Sequence, residues 1–540
     1  MTGVLFWIIL AIYLFVGLWV AKRISTSRDY YIMDERAPTY LIVGTLCATY
    51  LSASTLMGIT GTHYAEGPLT LSTLASFGAW IGTLLAIFYL GRKFKALRYQ
   101  TMPEFFHNRF RSKPVSVVAS IIMIVGLLGY GVIQMMGAGL ILAQITGIPY
   151  VAVVAGMCLV IFLFSSSGGM ASVVITDTLM LVAILVIATV ISPYLMIQAG
   201  GAEHIVTDTT ARLGREYWTL GGIKNYPVIW SFSQMLVWIA YYMCLPAFAS
   251  RVFPAKNDFV LLKAGCIGMF LGAFLQIMPY FVGASAMQVL QPGIEPTANA
   301  LIIGFSDYIP PVLGGFALAG LMAAIMSTAS TLFILAGIGV SKDLFDDLFF
   351  ADKQLTDKQR INHARLAQFV LTVVIYFVTI SRPPAIYFFF LYAGALFGVG
   401  WLPTVLSGLH WRKVTNQGVM ASMVGGVLCF IGIDVMVKDG LLTLPKFLDP
   451  FMLGLIISFA ILIVVSLMTK PTQANLDYFE VIQKAKLSDV YIEQARNDPA
   501  AFAQMKKDYT STYYVAIITV IVTVVCFGGL GLMFGLPLLY

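Results

Sequence analysis

Two apolar stretches of the chain carry hydroxyl side chains at a spacing that could hold an ion. In FALAGLMAAIMSTASTLFILAG, residues 316–337, Ala324, Ser327 and Thr328 stand at i, i+3 and i+4, on one face of a helix, and Ser330 and Thr331 repeat the arrangement a turn later. In ATYLSASTLMGITG, residues 48–61, Ser52, Ser54 and Thr55 interrupt a greasy segment. A single carboxylate, Asp177, lies about two turns into a third such segment. Hydroxyls, freed carbonyls and a carboxylate are hard oxygen ligands, the set a small alkali cation prefers. They offer no nucleophile–base pair, and the five histidines and six cysteines show neither metal spacing nor a disulfide framework. The cysteines read instead as small buried apolar residues. The chain is read as no enzyme.

The elements that must position these groups are membrane helices. Of 540 residues, 59% are hydrophobic and 11% charged, far below the roughly 25% charge of a soluble domain. Apolar runs of crossing length recur throughout, and fourteen spans are expected: 3–21, 38–64, 69–91, 115–146, 149–167, 171–198, 227–250, 261–291, 311–340, 364–381, 383–410, 416–437, 450–469 and 514–538. With the first loop inside, 27 of the 33 Lys and Arg fall in inward loops and 6 in outward ones, as the positive-inside rule requires. Both termini are therefore expected to be extracytoplasmic, in a cell membrane. The net charge of +7 reflects this topology and not nucleic-acid binding. The oligomeric state leaves no signature. Lys and Arg are read as avoiding the span interiors, which leaves Asp177 without a basic partner and makes a mobile cation its natural compensator.

The second span is expected to break near Ser52–Ser54, and the seventh, VIWSFSQMLVWIAYYMCLPAFASR, at Pro246. Each opens a set of five spans of opposite orientation. The division is 1–37 as an extra helix and loop, 38–198 as one repeat, 199–226 as an outward loop with a short lid helix, 227–410 as the second repeat, and 411–540 as extra helices with a polar, partly helical loop at 470–513. Unwinding near Ser52 would release carbonyls such as those of Ala48 and Leu51, and bare backbone at that depth must line a cavity or bind something.

RDYYIMDERAP (28–38), YQTMPEFFHNRF (99–110), GGMASVVITDTL (168–179) and GLHWRKVTNQGVMASMVGG (408–426) resemble landmarks of the solute:sodium symporter family, in family order and over nearly the whole chain. The resemblance implies an all-α, LeuT-type inverted-repeat membrane fold, and symport of a small organic solute with Na+ as coupling ion and no other cofactor. It also implies a principal sodium site at the Ala48, Leu51 and Ala324 carbonyls and the Ser327 and Thr328 hydroxyls, and a second at Asp177, Ser330 and Thr331. Tyr50, Ser52, Ser54, Thr55, Gln134, Trp238 and Tyr242 stand at the family's substrate positions.

The spacing Trp238, Tyr242, Pro246, Arg251 resembles the proline-transporting members, but Ser54 and Thr55 stand where those carry an aspartate. A sugar would leave hydroxyls unpaired among Tyr50, Thr55, Leu74 and Trp238, at about 1–3 kcal/mol each. A monocarboxylate or pantothenate-like acid fits better, with Met135 and Met136 as apolar wall. Rival readings are a ligand sensor built on the same bundle, a channel, and proton coupling through Asp177.

Overall fold

The computed structural model describes residues 2–539, apart from residues 25, 73, 350–354, 382–385 and 446. The described residues are helical almost throughout and form no named strand. The crossing helices are α1 (Thr2–Ala21), α2 (Thr39–Tyr50 with Ser54–Glu66), α3 (Leu74–Ala96), α4 (Lys113–Thr146), α5 (150–168), α6 (170–198), α7 (Val228–Cys244 with Pro246–Val252), α8 (Asp258–Leu290), α9 (Pro311–Asp346), α10 (Asp357–Ile380), α11 (Ile386–His410), α12 (Asn416–Lys438), α13 (Pro450–Met468) and α14 (Pro499–Leu539).

Helices α5 and α6 run on as one 49-residue stretch, 150–198, about 74 Å at 1.5 Å per residue, more than twice the hydrocarbon thickness. The stretch is divided at Gly169, whose φ of 53° and ψ of −153° leave the helical region. Only glycine suits this point: a Cβ there would lie 2.5 Å from the Tyr30 carbonyl oxygen. Eleven straight spans, two bent pairs and this division give fourteen, the number the hydropathy and charge pattern requires.

The centre of the bundle is α9. Its most apolar window is wholly buried, and it packs against α1, α4, α5–α6 and α10. The alanine, glycine and hydroxyl residues along it let these neighbours approach closely. Outer helices instead show large apolar side chains on their exposed faces, such as Phe15, Phe369, Phe377 and Val524, which suits hydrocarbon and not water. The two bent helices are α2, bent by 45° across residues 51–53, and α7, bent by 49° at Leu245. Pro246 opens the second half of α7 at the position where its missing N–H costs nothing.

Between the spans, Gly201–Leu213 forms the short helix expected in the outward loop. Gln473–Lys484 and Leu487–Asn497 form two helices in the polar segment before α14, and α14 itself begins inside that segment. Three cysteines, Cys47, Cys158 and Cys244, are buried, whereas Cys266, Cys429 and Cys526 are only half-buried. That corrects the reading of all six as interior: a small thiol on the outer side of a span meets hydrocarbon as comfortably as it meets protein.

Candidate ion and solute site at the broken helices

Helix α2 stops at Tyr50 because Leu51 turns to extended backbone, φ −102° and ψ 119°. The groups this frees are met one by one. The Ser52 amide, which a continuous helix would give to the Ala48 carbonyl, donates to Thr55 Oγ1 at 2.7 Å. The Ala53 amide donates to Gln134 Oε1 of α4 at 3.0 Å. Ser52 Oγ pairs with Ser54 Oγ at 2.8 Å and accepts from the Tyr130 hydroxyl at 3.2 Å. Gln276 Nε2 of α8 donates to the Tyr50 carbonyl at 3.2 Å. The hydroxyl-rich composition of this stretch thus supplies local caps for a break that water cannot reach.

The break faces α9. Thr328 Oγ1 donates to the Leu51 carbonyl at 3.2 Å, so the two hydroxyl-bearing stretches meet in the centre of the bundle. Ala48, Leu51, Ala324, Ser327 and Thr328 are all fully buried. Ser327 Oγ has no hydrogen-bond partner among the described residues and lies beside Asp177. One oxygen of that carboxylate, Oδ1, is likewise unpartnered. Ser330 and Thr331 both donate to the Ser327 carbonyl at 3.0 Å.

Asp177 is not without a basic partner. Arg251, from the second half of α7, is fully buried and sets Nη2 3.1 Å from Asp177 Oδ2. The same oxygen accepts from Thr45 Oγ1 at 2.5 Å. The guanidinium also donates to Thr49 Oγ1 at 2.9 Å and to Thr331 Oγ1, and it contacts Met170 Sδ at 3.3 Å. The bend after Leu245 is the cause: it turns the buried segment Pro246–Val252 into the bundle, carrying an arginine that the charge pattern alone assigns to a loop. Arg251 therefore stands among Asp177 and Thr331, two of the three residues expected to hold a second cation.

The expected solute-contacting residues fall on two sides of the break. Tyr50, Trp238 and Tyr242 form an aromatic stack, with Tyr242 5.6 Å from Trp238 and 6.4 Å from Tyr50 between ring centroids. With Gln276 and Tyr280, Trp238 and Tyr242 close around a void of only 10 Å³. Gln134 lies across the break on α4, its Nε2 buried and without a partner among the described residues. Ser52, Ser54 and Thr55 lie between and are mostly engaged with one another. A larger cavity of 650 Å³, lined among others by Gly58, Thr62, Met136, Gln234 and Val237, also reaches Lys224 and Tyr226 of the loop that precedes α7. At its rim Asp449 caps α13 through Met452 N at 2.9 Å and accepts from Gln234 Nε2 at 2.8 Å.

Tyr130, Gln276, Thr45 and Thr49 belong to this centre, and the sequence patterns did not single them out; Arg251 belongs to it too, marked in the sequence only by its spacing from Trp238, Tyr242 and Pro246 and not as a partner of Asp177. Pro246 was the physical signal for Arg251, since a chain that breaks there must place the next turn elsewhere.

A polytopic bundle in which two interrupted helices bring polar groups to the mid-plane defines a secondary transporter. Residues 30–426 match the sodium:solute symporter family model, and the chain belongs to that family. It is accordingly a sodium-coupled symporter of a small organic solute, a multi-pass membrane protein with Na+ as coupling ion. Among its relatives, the osmoregulated proline transporter of Bacillus subtilis is 25% identical, over 87% of this chain and 96% of its own. The sodium/pantothenate symporter of Escherichia coli is 26% identical, over 80% and 92%. In fold, the chain resembles a Na+-coupled sialic acid symporter in a substrate-bound outward-open state, with a TM-score of 0.70 at 18% identity, covering 88% of this chain and 99% of the other. It also resembles a nucleobase–cation symporter in a closed conformation, with a TM-score of 0.55 at 15% identity, over 84% and 99%.

Proposed function

We propose that this symporter carries a monocarboxylate or pantothenate-like acid into the cell by alternating access. The observation that supports this most is the contact of the α2 break with α9, where Thr328 reaches the Leu51 carbonyl. A sodium ion held by the Ala48, Leu51 and Ala324 carbonyls and the Ser327 and Thr328 hydroxyls would tie these two elements together. That contact couples the ion to the shape of the adjoining solute pocket. The two repeats, 38–198 and 227–410, would then rock about this junction. With the basic loops inside, both termini face outward and the 650 Å³ cavity is the outer approach.

The solute preference rests on the donors and walls at the break. Gln134 Nε2 is a buried donor with no protein acceptor, suited to a carboxylate. Trp238, Tyr242 and Met136 offer apolar surface, and no acidic residue stands among Tyr50, Ser52, Ser54, Thr55, Gln134, Trp238 and Tyr242 to receive an ammonium. The relative that takes pantothenate agrees with this preference. Proline transport is the second reading, favoured by the relative of that name and by the Trp238–Tyr242 pair.

A second sodium at Asp177, Ser330 and Thr331 would require the Arg251 guanidinium to shift aside, leaving Asp177 to the ion. Thermal unfolding of the purified protein with pantothenate, acetate, proline and glucose, each in sodium or potassium chloride, tests the reading. Stabilisation by an acid in sodium alone is expected; an effect of glucose, or one indifferent to sodium, overturns it. Counterflow in proteoliposomes separates a symporter of that acid from a sensor, which need not translocate.

A further inference from the structure

A second cavity, of 330 Å³, lies at the end of the bundle that carries most of the basic residues, far from the helix breaks. Three elements build it. Tyr89, Arg92 and Lys93 come from the end of α3, His410 from the end of α11, and Gln483, Lys486 and Ser488 from the junction of helices Gln473–Lys484 and Leu487–Asn497, where Gln483 lies in the last turn of the first, Ser488 in the first turn of the second and Lys486 between. The lining is rich in donors, and no carboxylate lines it among the described residues. Arg92 is already matched by Asp258, with bonds of 2.7 and 2.6 Å. Among the described residues neither Lys93 nor Lys486 has a carboxylate partner: Lys93 Nζ donates to the Ala485 carbonyl at 2.8 Å and stands near enough to Lys486 for the two charges to repel.

Two neighbouring lysines that line one recess, Lys93 half-buried and Lys486 at its exposed edge, beside a hydroxyl and a histidine, repel each other unless an anion joins them. Crowded cations at the ends of spans are also the pattern that attracts anionic headgroups. The recess sits at the ends of α3 and α11, and its volume is at the lower end of small-molecule sites. That is enough for a phosphate with a glycerol-sized substituent and too small for a large anion.

We propose that this cavity binds a phosphate ester through Lys93 and Lys486, and that the bound phosphate fixes the 473–497 segment against the ends of α3 and α11. The same chemistry is offered by the headgroup of an anionic phospholipid and by a free phosphorylated metabolite. Gln483 Nε2 already bonds the Leu409 carbonyl at 2.7 Å and Lys93 Nζ the Ala485 carbonyl at 2.8 Å, so the segment is docked on both helix ends and the phosphate would add a further link between them. The site is independent of the solute carried and of the ion sites at the helix breaks.

The test uses the full chain in nanodiscs. Thermal unfolding is followed in phosphatidylcholine discs with glycerol 3-phosphate or with chloride at equal ionic strength, and in discs containing phosphatidylglycerol. Stabilisation by glycerol 3-phosphate in phosphatidylcholine assigns a free phosphate ester; stabilisation by phosphatidylglycerol alone assigns the lipid. In either case Lys93→Gln and Lys486→Gln should each weaken the response about tenfold, the scale of one charge-assisted hydrogen bond. Lys413→Gln, outside the cavity lining, should leave it unchanged. Lys486 is exposed, so its variant will fold even if the Lys93 variant does not. No stabilisation by either phosphate source, or a response that survives Lys486→Gln at full strength, overturns the proposal.

Discussion

Replacing Arg251 with glutamine tests the centre of the bundle most directly. Both members of the Arg251–Asp177 pair have no exposed side-chain surface, and they stand 3.1 Å apart. Their attraction is about 5 kcal/mol at an effective dielectric of roughly 20. Bringing both charges out of water cancels most of that, so the intact pair adds little net stability. Removing one member is different, because the other is left buried and unmatched, at about 3–5 kcal/mol. In Arg251→Gln the lone carboxylate keeps the Thr45 hydroxyl and has Ser327 beside it but no cationic partner, and sodium becomes its best available one.

Four proteins would be compared by thermal unfolding in sodium and in choline chloride: wild type, Arg251→Gln, Asp177→Asn and the double variant. In choline, each single variant should unfold well below wild type, and the double variant should recover most of the loss. Beyond the gain that wild type shows from its principal site, sodium should restore Arg251→Gln by about 2.7 kcal/mol when it reaches a hundred times its dissociation constant at Asp177, and should give Asp177→Asn no such excess. If the single losses simply add in the double variant, to within about 0.5 kcal/mol, the pair is not a coupled unit. If sodium gives Arg251→Gln no more than it gives wild type, Asp177 is no cation ligand.

Other residues at the break give separate expectations. Thr328→Val removes the donor to the buried Leu51 carbonyl, and should weaken sodium activation of uptake about tenfold and cost about 1–3 kcal/mol of stability in choline. Gln134→Leu leaves the buried Ala53 amide without its acceptor, at about 1–3 kcal/mol, and should raise the KM for the solute; an unchanged KM would remove Gln134 from the solute site. Gly169→Ala forces a side chain into left-handed backbone 2.5 Å from the Tyr30 carbonyl, and should lower the unfolding midpoint with or without sodium. If the solute is a monoanion, Asp177→Ala should reduce accumulation more than affinity, since a second sodium adds about 2.3 kcal/mol per 100 mV and about 1.4 kcal/mol per tenfold gradient. Unchanged voltage dependence in that variant counts against the second ion.

Much of the architecture is local information. The number of spans, the breaks near Ser52 and at Pro246, and the hydroxyl stripe on α9 all follow from hydropathy, proline chemistry and helical spacing, properties of a few neighbouring residues. Only the folded bundle decided what each polar group meets. Gln134 lies 81 residues from the amide it satisfies, Arg251 202 residues from Thr49, and Thr328 277 from Leu51. Composition placed Arg251 in a loop because a charged residue at a span end is ordinarily solvated. The 49° bend of α7 carries it instead to a buried carboxylate, which no one-dimensional pattern records. The sequence alone determined that polar oxygens must sit inside this membrane protein. The tertiary structure decided which of them are committed to one another, because a buried polar group has to find its partner in space, wherever along the chain that partner lies.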